Sequence, residues 1–445
     1  MALFGTDGIR GLAGEQLTAE LALQVGRAAA CVLAAHRGHP PLFLIGRDTR
    51  VSGSMLEAAL VAGITSGAGA AEIAGVIPTP GLAALVVERG ADAGVVVSAS
   101  HNPFADNGIK FFSHLGLKLS DDEEAEIERH VGRHDLASAR GEQVGRAEVV
   151  EGAVERYVWS VVRRIPLDLS GLRLAVDCAN GAMYRAAPLA LSESGADLTL
   201  LHTEPDGLNI NHDCGSTHIE GLQQVVREGR FDLGLAFDGD GDRVLAVDAR
   251  GALVDGDFVI AILATHLKAQ GRLRGDTVVT TVMTNLGFHL AMRREGIDVV
   301  TTAVGDRYVI AEMLEHDYVL GGEQSGHIIN RDVSTTGDGL ATALLLLQAL
   351  GETGRPLHEA AAVMKRLPQR LVNVRVRDRD GLDGARAVWD AVEREAELLG
   401  GEGRVLVRAS GTEPLVRVMA EAATQPDCDA VCGRIVAVVE QELGA

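Results

Sequence analysis

Residues 93–103 read AGVVVSASHNP, a run of valines that ends abruptly in Ser98, Ser100 and His101. A short β-branched run of this kind favours a buried strand, and the polar residues after it mark the strand's carboxyl end. In α/β sheets, the loops after the carboxyl ends of strands are where ligands bind. The stretch therefore predicts an α/β fold that presents Ser100 at a binding edge.

The same pattern occurs twice more along the chain. Residues 233–243 read LGLAFDGDGDR, and residues 318–327 read YVLGGEQSGH. Three other apolar runs begin the segments 41–50, 172–181 and 277–287. Each run is followed by a segment whose apolar residues have helix-like spacing. This alternation favours buried parallel strands in three diverged copies of one α/β module.

The predicted fold class is α/β, with three similar mixed-sheet domains and a smaller C-terminal domain around a central cleft. A chain of 445 residues is too long for one core. After Pro368 the pattern changes to an alternation of apolar and polar residues, typical of a strand, and then to a helix over 383–399. This predicts an α+β domain. The predicted domain ranges are 1–153, 154–254, 255–367 and 368–445.

Composition excludes several classes of partner. A net charge of −21 provides no basic field for nucleic acid or anionic membranes. No uncharged apolar run reaches the length of about 18 residues that a membrane span needs, and the N-terminus MALFGTDGIRG has no signal pattern. The five scattered cysteines are typical of reduced thiols. We therefore expect a cytoplasmic protein with neither nucleic-acid nor membrane partners.

The motif DGDGDR spaces Asp238, Asp240 and Asp242 two residues apart, with glycines between them. Three carboxylates so close together repel one another unless a cation joins them, and oxygen ligands suit Mg²⁺ or Ca²⁺. A calcium-binding EF-hand loop would need Gly and Glu where Arg243 and Ala249 stand. The motif therefore predicts a Mg²⁺ site with open positions for a phosphoryl oxygen, and the alternative is an acidic surface turn.

Ser100 is a candidate nucleophile or phosphate carrier. The G-x-S-x-G elbow of α/β-hydrolases is absent, so that class is disfavoured. Beside a metal site, Ser100 could instead carry a phosphoryl group, with Lys110 moving a proton or neutralising charge. The alternative is a serine-rich loop with an Asn-Pro turn.

Two further motifs suit a phosphorylated sugar. In GEQSGH, Glu323 and Ser325 can both face a cleft and bind vicinal hydroxyls; a polar turn is the alternative. RASGTEPLVR supplies guanidinium groups, hydroxyls and a glycine amide, as an anion cradle requires. It lacks the P-loop pattern, and the alternative is an ordinary strand–turn–strand. The residues of this cradle are Arg408, Ser410, Gly411, Thr412 and Arg417.

In their order along the chain, SASHNP, DGDGDR, GEQSGH and RASGTEP resemble the motifs of the α-D-phosphohexomutase family. The resemblance extends over essentially the whole chain. FGTDGIRG at the N-terminus and PDGLNINHDCGSTH at 205–218 resemble the branch that acts on amino sugars.

This resemblance implies a role for each motif. Ser100 would be the phosphoserine and would hold one Mg²⁺ per chain together with the three aspartates, while Arg243 supports the phosphoserine. Glu323 and Ser325 would contact sugar hydroxyls, and the RASGTEP loop would bind the phosphate that does not react. The acid, the base and the charge stabiliser around the reacting phosphoryl group would come from three further residues. These are Arg10, in a glycine-rich N-terminal loop, Lys110 and His327.

The implied activity is an intramolecular phosphotransfer. Glucosamine 6-phosphate would be converted to glucosamine 1-phosphate through glucosamine 1,6-bisphosphate, which also primes the enzyme. The glucosamine 1-phosphate would feed synthesis of UDP-N-acetylglucosamine and cell-wall precursors. The branch frequently forms homodimers. The alternatives are phosphomannomutase or phosphoglucomutase activity, a metal-dependent sugar phosphatase, and an idle sugar-phosphate binder. A phosphatase has no use for a second phosphate cradle, and an idle binder would be expected to lose Ser100 or an aspartate.

Overall fold

A computed structural model describes residues 3–5, 7–133, 138–410 and 414–444 of the chain. The described residues form two compact units. The first unit contains the residues up to Met283 together with Ile297–Ala362, and the second contains Thr284–Gly296 and the residues from Val363 onward.

Three mixed sheets build the first unit. The six-stranded sheet has the order β1-β5-β4-β2-β3-β6, the five-stranded sheet β11-β10-β9-β7-β8, and the four-stranded sheet β13-β12-β14-β15. Each sheet draws its strands from one of the first three predicted domain ranges, and the boundaries themselves stay predictions. The strands are β1 Ile9–Leu12, β2 Leu42–Arg47, β3 Ala70–Val76, β4 Ala93–Val97, β5 Asp106–Ser113, β6 Ala147–Val149, β7 Arg173–Asp177, β8 Asp197–Leu201, β9 Leu233–Phe237, β10 Val244–Asp248, β11 Leu253–Val254, β12 Thr277–Thr281, β13 Asp298–Thr302, β14 Leu320–Gly322 and β15 Ile328–Asn330.

The three sheets share one arrangement, which confirms the predicted fold class. Each has parallel strands at its centre, and one of these is followed by an antiparallel neighbour: β4 by β5, β9 by β10, and β14 by β15. Each of the first three predicted motifs occupies the connection between those two strands. The repeated hairpin therefore presents a different set of polar side chains in each copy.

Helices cover these sheets. In the six-stranded sheet, α1 and α2 pack with the strands in one apolar core. The apolar stretch LATALLLLQAL at 340–350 lies in α11, in which most residues are buried. The helices of this unit are α1 Ala19–Arg37, α2 Gly53–Ser66, α3 Thr79–Arg89, α4 Asp121–His130, α5 Ala153–Arg164, α6 Met183–Glu193, α7 Glu220–Gly229, α8 Gly256–Ala269, α10 Asp306–Glu315, α11 Gly339–Thr353 and α12 Leu357–Ala360.

The second unit contains α9 Leu286–Arg294 and a three-stranded antiparallel sheet of order β16-β18-β17. Buried Glu421 accepts hydrogen bonds from the backbone N–H of Leu286 (2.8 Å) and the side chain of Asn285 (3.0 Å). A carboxylate is favourable at a helix N-terminus, so Glu421 joins α9 to the sheet. The remaining elements are β16 Gln369–Arg375, β17 Arg404–Ala409, β18 Leu415–Glu421, α13 Arg386–Leu399 and α14 Gln425–Leu443.

Across the described ranges, none of the helices combines the length and the apolar character that crossing a membrane requires.

The close packing of α1 on α2 depends on Gly63, and this gives a stability test. A Cβ at Gly63 would lie 2.2 Å from the carbonyl oxygen of Leu23, so Gly63→Ala should destabilise the fold by about 1–3 kcal/mol. Gly351→Ala is the control, because no atom of the described residues lies within 4 Å of a Cβ there and alanine favours a helix by about 0.5–1 kcal/mol. Thermal unfolding followed by circular dichroism should lower the midpoint only for Gly63→Ala; equal midpoints would contradict the packing.

Candidate active site

Ser100 lies in the loop after β4 and has a φ of +51°, which is rare for a residue other than glycine. Its backbone N–H donates to Ser98 Oγ at 3.0 Å. Its carbonyl oxygen accepts from Asn211 Nδ2 at 2.9 Å and from Arg50 at 3.2 Å. The side chain is almost wholly buried. Contacts from distant parts of the chain therefore hold this strained serine in place.

The three aspartates of DGDGDR lie around Ser100. One carboxylate oxygen from each of Asp238, Asp240 and Asp242 lies within 4.8 Å of the others. Ser100 Oγ donates a hydrogen bond of 2.7 Å to Asp238 Oδ2. Glycine between the aspartates is required, because a Cβ at Gly239 would lie 2.6 Å from the carbonyl oxygen of Ser100.

This cluster fits a hard divalent cation. Asp240 Oδ1 and Asp242 Oδ1 are buried without a hydrogen-bond partner among the described residues. Buried polar atoms are normally paired, so such oxygens indicate a partner that is not protein. Carboxylate and hydroxyl oxygens are the ligands that Mg²⁺ prefers. Ser100, Asp238, Asp240 and Asp242 could therefore hold this ion.

The pKa shifts of the aspartates also favour a cation in this cluster. Burial, followed by the charges of Asp242 and Asp240, raises the pKa of Asp238 well above its usual value. Burial would also raise the pKa of Asp242, but His327 and Lys110 reverse this and lower it. The negative potential of the cluster thus favours a proton, or a cation in its place, at Asp238, the residue that contacts Ser100.

Lys110 lies between two carboxylates. Its Nζ is 3.1 Å from Asp240 Oδ2 and 3.2 Å from Asp7 Oδ2. Burial would lower the pKa of Lys110, but Asp240 and Asp7 raise it above the usual lysine value. The side chain therefore remains an ammonium group next to the aspartate cluster. Because it comes from β5, paired with the strand that leads to Ser100, the sheet fixes its position.

His327 connects the third motif to the second. Its Nδ1 lies 3.4 Å from Asp242 Oδ2, and its backbone pairs with that of Arg243. Its Nε2 lies 3.6 Å from Asp306 Oδ2. Burial would lower the pKa of His327, but Asp242 and Asp306 raise it to about 9. The imidazolium form therefore compensates both carboxylates.

Asp7, Lys118 and Asp306 complete this network, and the sequence analysis missed all three. Asp7 contacts Lys110, Lys118 and Arg10, and Lys118 Nζ lies 2.7 Å from Asp306 Oδ2. Burial would raise the pKa of Asp7, but these lysines lower it well below its usual value. The only signal in the sequence was that two of the chain's four lysines fall in this region.

A cavity of about 530 Å³ opens beside these groups. Arg10 lines it, but from strand β1, where it pairs with Gly108 of β5, and not from the loop that the sequence suggested. The strand results from the antiparallel pairing of β1 at the sheet edge. Side chains from all three sheets' motifs line the same cavity. These include Arg10, His101, Asp242, Arg243, Glu323 and His327.

The two residues predicted to bind the sugar, Glu323 and Ser325, differ in their positions. Glu323 lines the cavity, and its Oε1 accepts a hydrogen bond of 3.2 Å from the backbone N–H of Gly305. Ser325 is not among the residues that line the cavity. Its Oγ is buried and lacks a hydrogen-bond partner within the described part of the chain. Glu323 is therefore already oriented toward the cavity, whereas the role of Ser325 stays a prediction.

The predicted phosphate cradle belongs to the second unit. Arg408 and Arg417 are directly opposite each other on β17 and β18. Burial, and then the charge of Arg417, lowers the pKa of Arg408. Two adjacent guanidinium groups favour an anion. Buried Ser410 follows β17, while Gly411 and Thr412 lie outside the described residues.

Four family models match the chain in sequence. They are the phosphoglucomutase/phosphomannomutase alpha/beta/alpha domains I, II and III, at residues 1–138, 155–251 and 255–367, and the C-terminal domain at 371–438. The chain belongs to this family. The family membership confirms the resemblance that the four sequence motifs indicated.

Curated relatives match the chain over nearly its whole length. A phosphoglucosamine mutase of Desulforudis audaxviator is 54% identical, with 99% of this chain and 98% of the relative covered. That of Saccharopolyspora erythraea is 55% identical, with 98% of each chain covered. That of Bacillus subtilis strain 168 is 50% identical, with 99% of each covered.

Solved structures share the fold at lower identity. A phosphoglucomutase/phosphomannomutase family protein from Burkholderia thailandensis superposes with a TM-score of 0.84 at 24% identity, covering 100% of this chain and 99% of that chain. Aspergillus fumigatus N-acetylphosphoglucosamine mutase, solved in complex with GlcNAc-6P and magnesium, gives 0.69 at 19% identity, covering 99% and 96%.

The carboxylate cluster can be tested by direct ion binding. Asp240→Asn should weaken Mn²⁺ binding about tenfold or more, because it removes the charge from an orphaned buried oxygen. Asp197→Asn is the control, since this exposed aspartate lies at the start of β8. Electron paramagnetic resonance would measure free Mn²⁺ in a titration of each variant. Equal affinity in Asp240→Asn and the parent would remove Asp240 from the site.

Proposed function

We propose that this protein interconverts glucosamine 6-phosphate and glucosamine 1-phosphate through a phosphoserine at residue 100. The observation that carries the proposal is the hydrogen bond of 2.7 Å between Ser100 Oγ and Asp238 Oδ2 inside the carboxylate cluster. The substrate is proposed from the relatives of 50–55% identity, which are phosphoglucosamine mutases. A mannose or glucose substrate has no comparable support.

The reaction has two balanced transfers. The phosphoryl group leaves Ser100 Oγ for the free hydroxyl oxygen at C1 of glucosamine 6-phosphate. That hydroxyl gives up its proton, and Ser100 Oγ takes one up as its bond to phosphorus breaks. The product is glucosamine 1,6-bisphosphate, which turns in the site. The 6-phosphoryl group then passes to Ser100 Oγ, which gives up its proton. The C6 oxygen takes up a proton, and glucosamine 1-phosphate leaves. The bisphosphate therefore also serves as primer for unphosphorylated enzyme.

One Mg²⁺ per chain, held by Ser100 and the three aspartates, would neutralise charge on the phosphoryl oxygens when bound. The remaining catalysis falls to the chain's own cations. Lys110 Nζ is held as an ammonium group next to Asp240, and His327 carries its proton between Asp242 and Asp306. Charge that develops during the transfer would be stabilised by these groups without rearrangement.

The proposed acid, base and charge stabiliser are drawn from Arg10, Lys110 and His327. Arg243 lines the cavity and lies 3.7 Å from Asp242 Oδ1, so we propose that it orients the phosphoserine. Glu323 would bind a sugar hydroxyl, and Ser325 would assist it. The non-reacting phosphate would be bound by the paired guanidinium groups and their loop. The residues proposed for that role are Arg408, Ser410, Gly411, Thr412 and Arg417.

In the cell, we propose a cytoplasmic enzyme that supplies glucosamine 1-phosphate for UDP-N-acetylglucosamine and cell-wall precursor synthesis, and that forms a homodimer. The acidic composition, with a net charge of −21, supports a small-molecule substrate over a nucleic acid.

Removal of the phosphate carrier tests the proposal. Ser100→Ala should lower turnover of glucosamine 6-phosphate by about a thousandfold or more, because no oxygen remains to carry the phosphoryl group. Intact-protein mass spectrometry should also show loss of one phosphate. Ser54→Ala, at an exposed serine of α2, should keep both the phosphate and the turnover. Parent-like turnover by Ser100→Ala would reject the phosphoserine.

A second variant tests whether positive charge alone is enough for the role of Lys110. Lys110→Arg keeps a positive charge but cannot release a proton readily, and it places a larger group between Asp240 and Asp7. We expect kcat to fall about a hundredfold. Lys268→Arg, in the last turn of α8 and paired with Asp276, should leave kcat unchanged. If Lys110→Arg also left kcat unchanged, Lys110 would act through its charge alone.

A further inference from the structure

A second cluster of potential metal ligands lies in the five-stranded sheet. Asp177 is the last residue of β7, His202 directly follows the neighbouring strand β8, and Cys214 precedes a short helical turn at Gly215–Thr217. One ligand atom of each residue lies within 4.8 Å of the others. An oxygen, a nitrogen and a sulfur donor thus meet at the carboxyl edge of two parallel strands.

The cluster is organised before any ion binds. Asp177 Oδ1 accepts from the backbone N–H of Ala179 at 2.8 Å, and Oδ2 accepts from that of Gly215 at 2.9 Å. His202 Nδ1 lies 3.1 Å from Asp177 Oδ1. Hydrogen bonds that orient a ligating carboxylate in this way are typical of metal sites. The backbone therefore holds the carboxylate in one orientation beside the imidazole.

Burial leaves one side of the cluster open. Asp177 and Cys214 are buried, whereas 40% of the His202 side chain is exposed. His202 has a φ of +52°, a conformation that is uncommon outside glycine and asparagine. An ion could enter past His202, and a water could take the remaining coordination position.

A cysteine–histidine–aspartate set could also indicate a nucleophile, but the electrostatics oppose that function. Burial, followed by the charges of Asp177 and Asp213, raises the pKa of Cys214 to about 12. The thiol form therefore dominates, and the nucleophile in cysteine chemistry is the thiolate. A bound metal ion removes this obstacle, because it displaces the thiol proton to solvent and pairs with the thiolate.

We propose that Asp177, His202 and Cys214 bind a thiophilic divalent transition-metal ion, with Zn²⁺ as the expected occupant. Three protein ligands of O, N and S type with a fourth position open to water match the donors that Zn²⁺ takes. The aspartate cluster at Asp238 offers oxygen donors only. Because a thiolate is a softer ligand than a carboxylate, Zn²⁺ would bind at the Cys214 cluster and Mg²⁺ at the Asp238 cluster.

The position of this site relates it to Ser100. Asn211, three residues before Cys214, donates from its side-chain amide to the carbonyl oxygens of Ser100 (2.9 Å) and Asn102 (3.0 Å). An ion held by Asp177, His202 and Cys214 would join the ends of β7 and β8 to the segment that carries Asn211. It would thus stabilise the support of the Ser100 loop without entering the cavity.

The test is a Co²⁺ titration of the full-length reduced protein in saturating Mg²⁺, which occupies the oxygen site. We expect about one equivalent of Co²⁺ to produce a thiolate-to-cobalt charge-transfer absorption, which Zn²⁺ then abolishes. Cys214→Ser should lose this absorption, and Cys31→Ser, at a cysteine on α1, should retain it. Absence of the band in the parent, or its persistence in Cys214→Ser, would overturn the proposal.

A second variant guards against a folding defect in Cys214→Ser. His202→Asn changes a partly exposed side chain, and asparagine tolerates the positive φ at this position. It should weaken Co²⁺ binding about tenfold or more while circular dichroism stays that of the parent. Parent-like affinity in His202→Asn would contradict the proposed ligand set.

Discussion

The repulsion among three buried carboxylates is the constraint on which the site depends. Asp238 and Asp240 are fully buried and Asp242 nearly so. Two like charges about 4 Å apart repel by roughly 4 kcal/mol at the effective dielectric of a protein. Such a cluster persists only if positive charge surrounds it. Lys110 and His327 supply part of that charge, and a divalent cation would supply the rest. A phosphorylated serine beside Asp238 would be stabilised by the same charges.

The repeated sheet arrangement supplies those charges from separate parts of the chain. The three motifs each follow a parallel strand and precede an antiparallel one, so Ser100, the aspartates and His327 occupy equivalent hairpins. Lys110 projects from β5, immediately after the Ser100 loop. Proteins that share this sheet plan can therefore change chemistry by changing one short connection, because the strands hold the rest.

The sequence predicted the local features well and the distant ones poorly. DGDGDR predicted the carboxylate cluster because its three aspartates are close in the chain, and SASHNP marked a strand end. Asp7 and Asp306 could not be found in this way, because they meet only through Lys118 in the folded chain. Arg10 was placed in a loop because the glycines around it conceal the antiparallel pairing of β1 with β5.

The same limit applies to the residues proposed to bind the second metal ion and the sugar. Cys214 lies 12 residues from His202 and 37 from Asp177 along the chain, so folding must bring them together. Pairing of β7 with β8 places Asp177 beside His202, and the hydrogen bond from the Gly215 N–H to Asp177 brings Cys214 to them. Glu323 was predicted to face a cleft and does line the cavity. Nothing in GEQSGH indicated that Ser325 Oγ would be buried without a hydrogen-bond partner among the described residues. Short spacing thus predicts a site only where one loop supplies most of it.

The most direct test of the central claim is ³¹P nuclear magnetic resonance of the Mg²⁺-loaded protein with sugar phosphates. Glucosamine, glucose and mannose 6-phosphates would be supplied separately, each with a trace of its own 1,6-bisphosphate. The account predicts that a 1-phosphate signal grows fastest from glucosamine 6-phosphate. Faster conversion of glucose or mannose 6-phosphate would contradict the proposed substrate, and release of inorganic phosphate alone would contradict the mutase reaction itself.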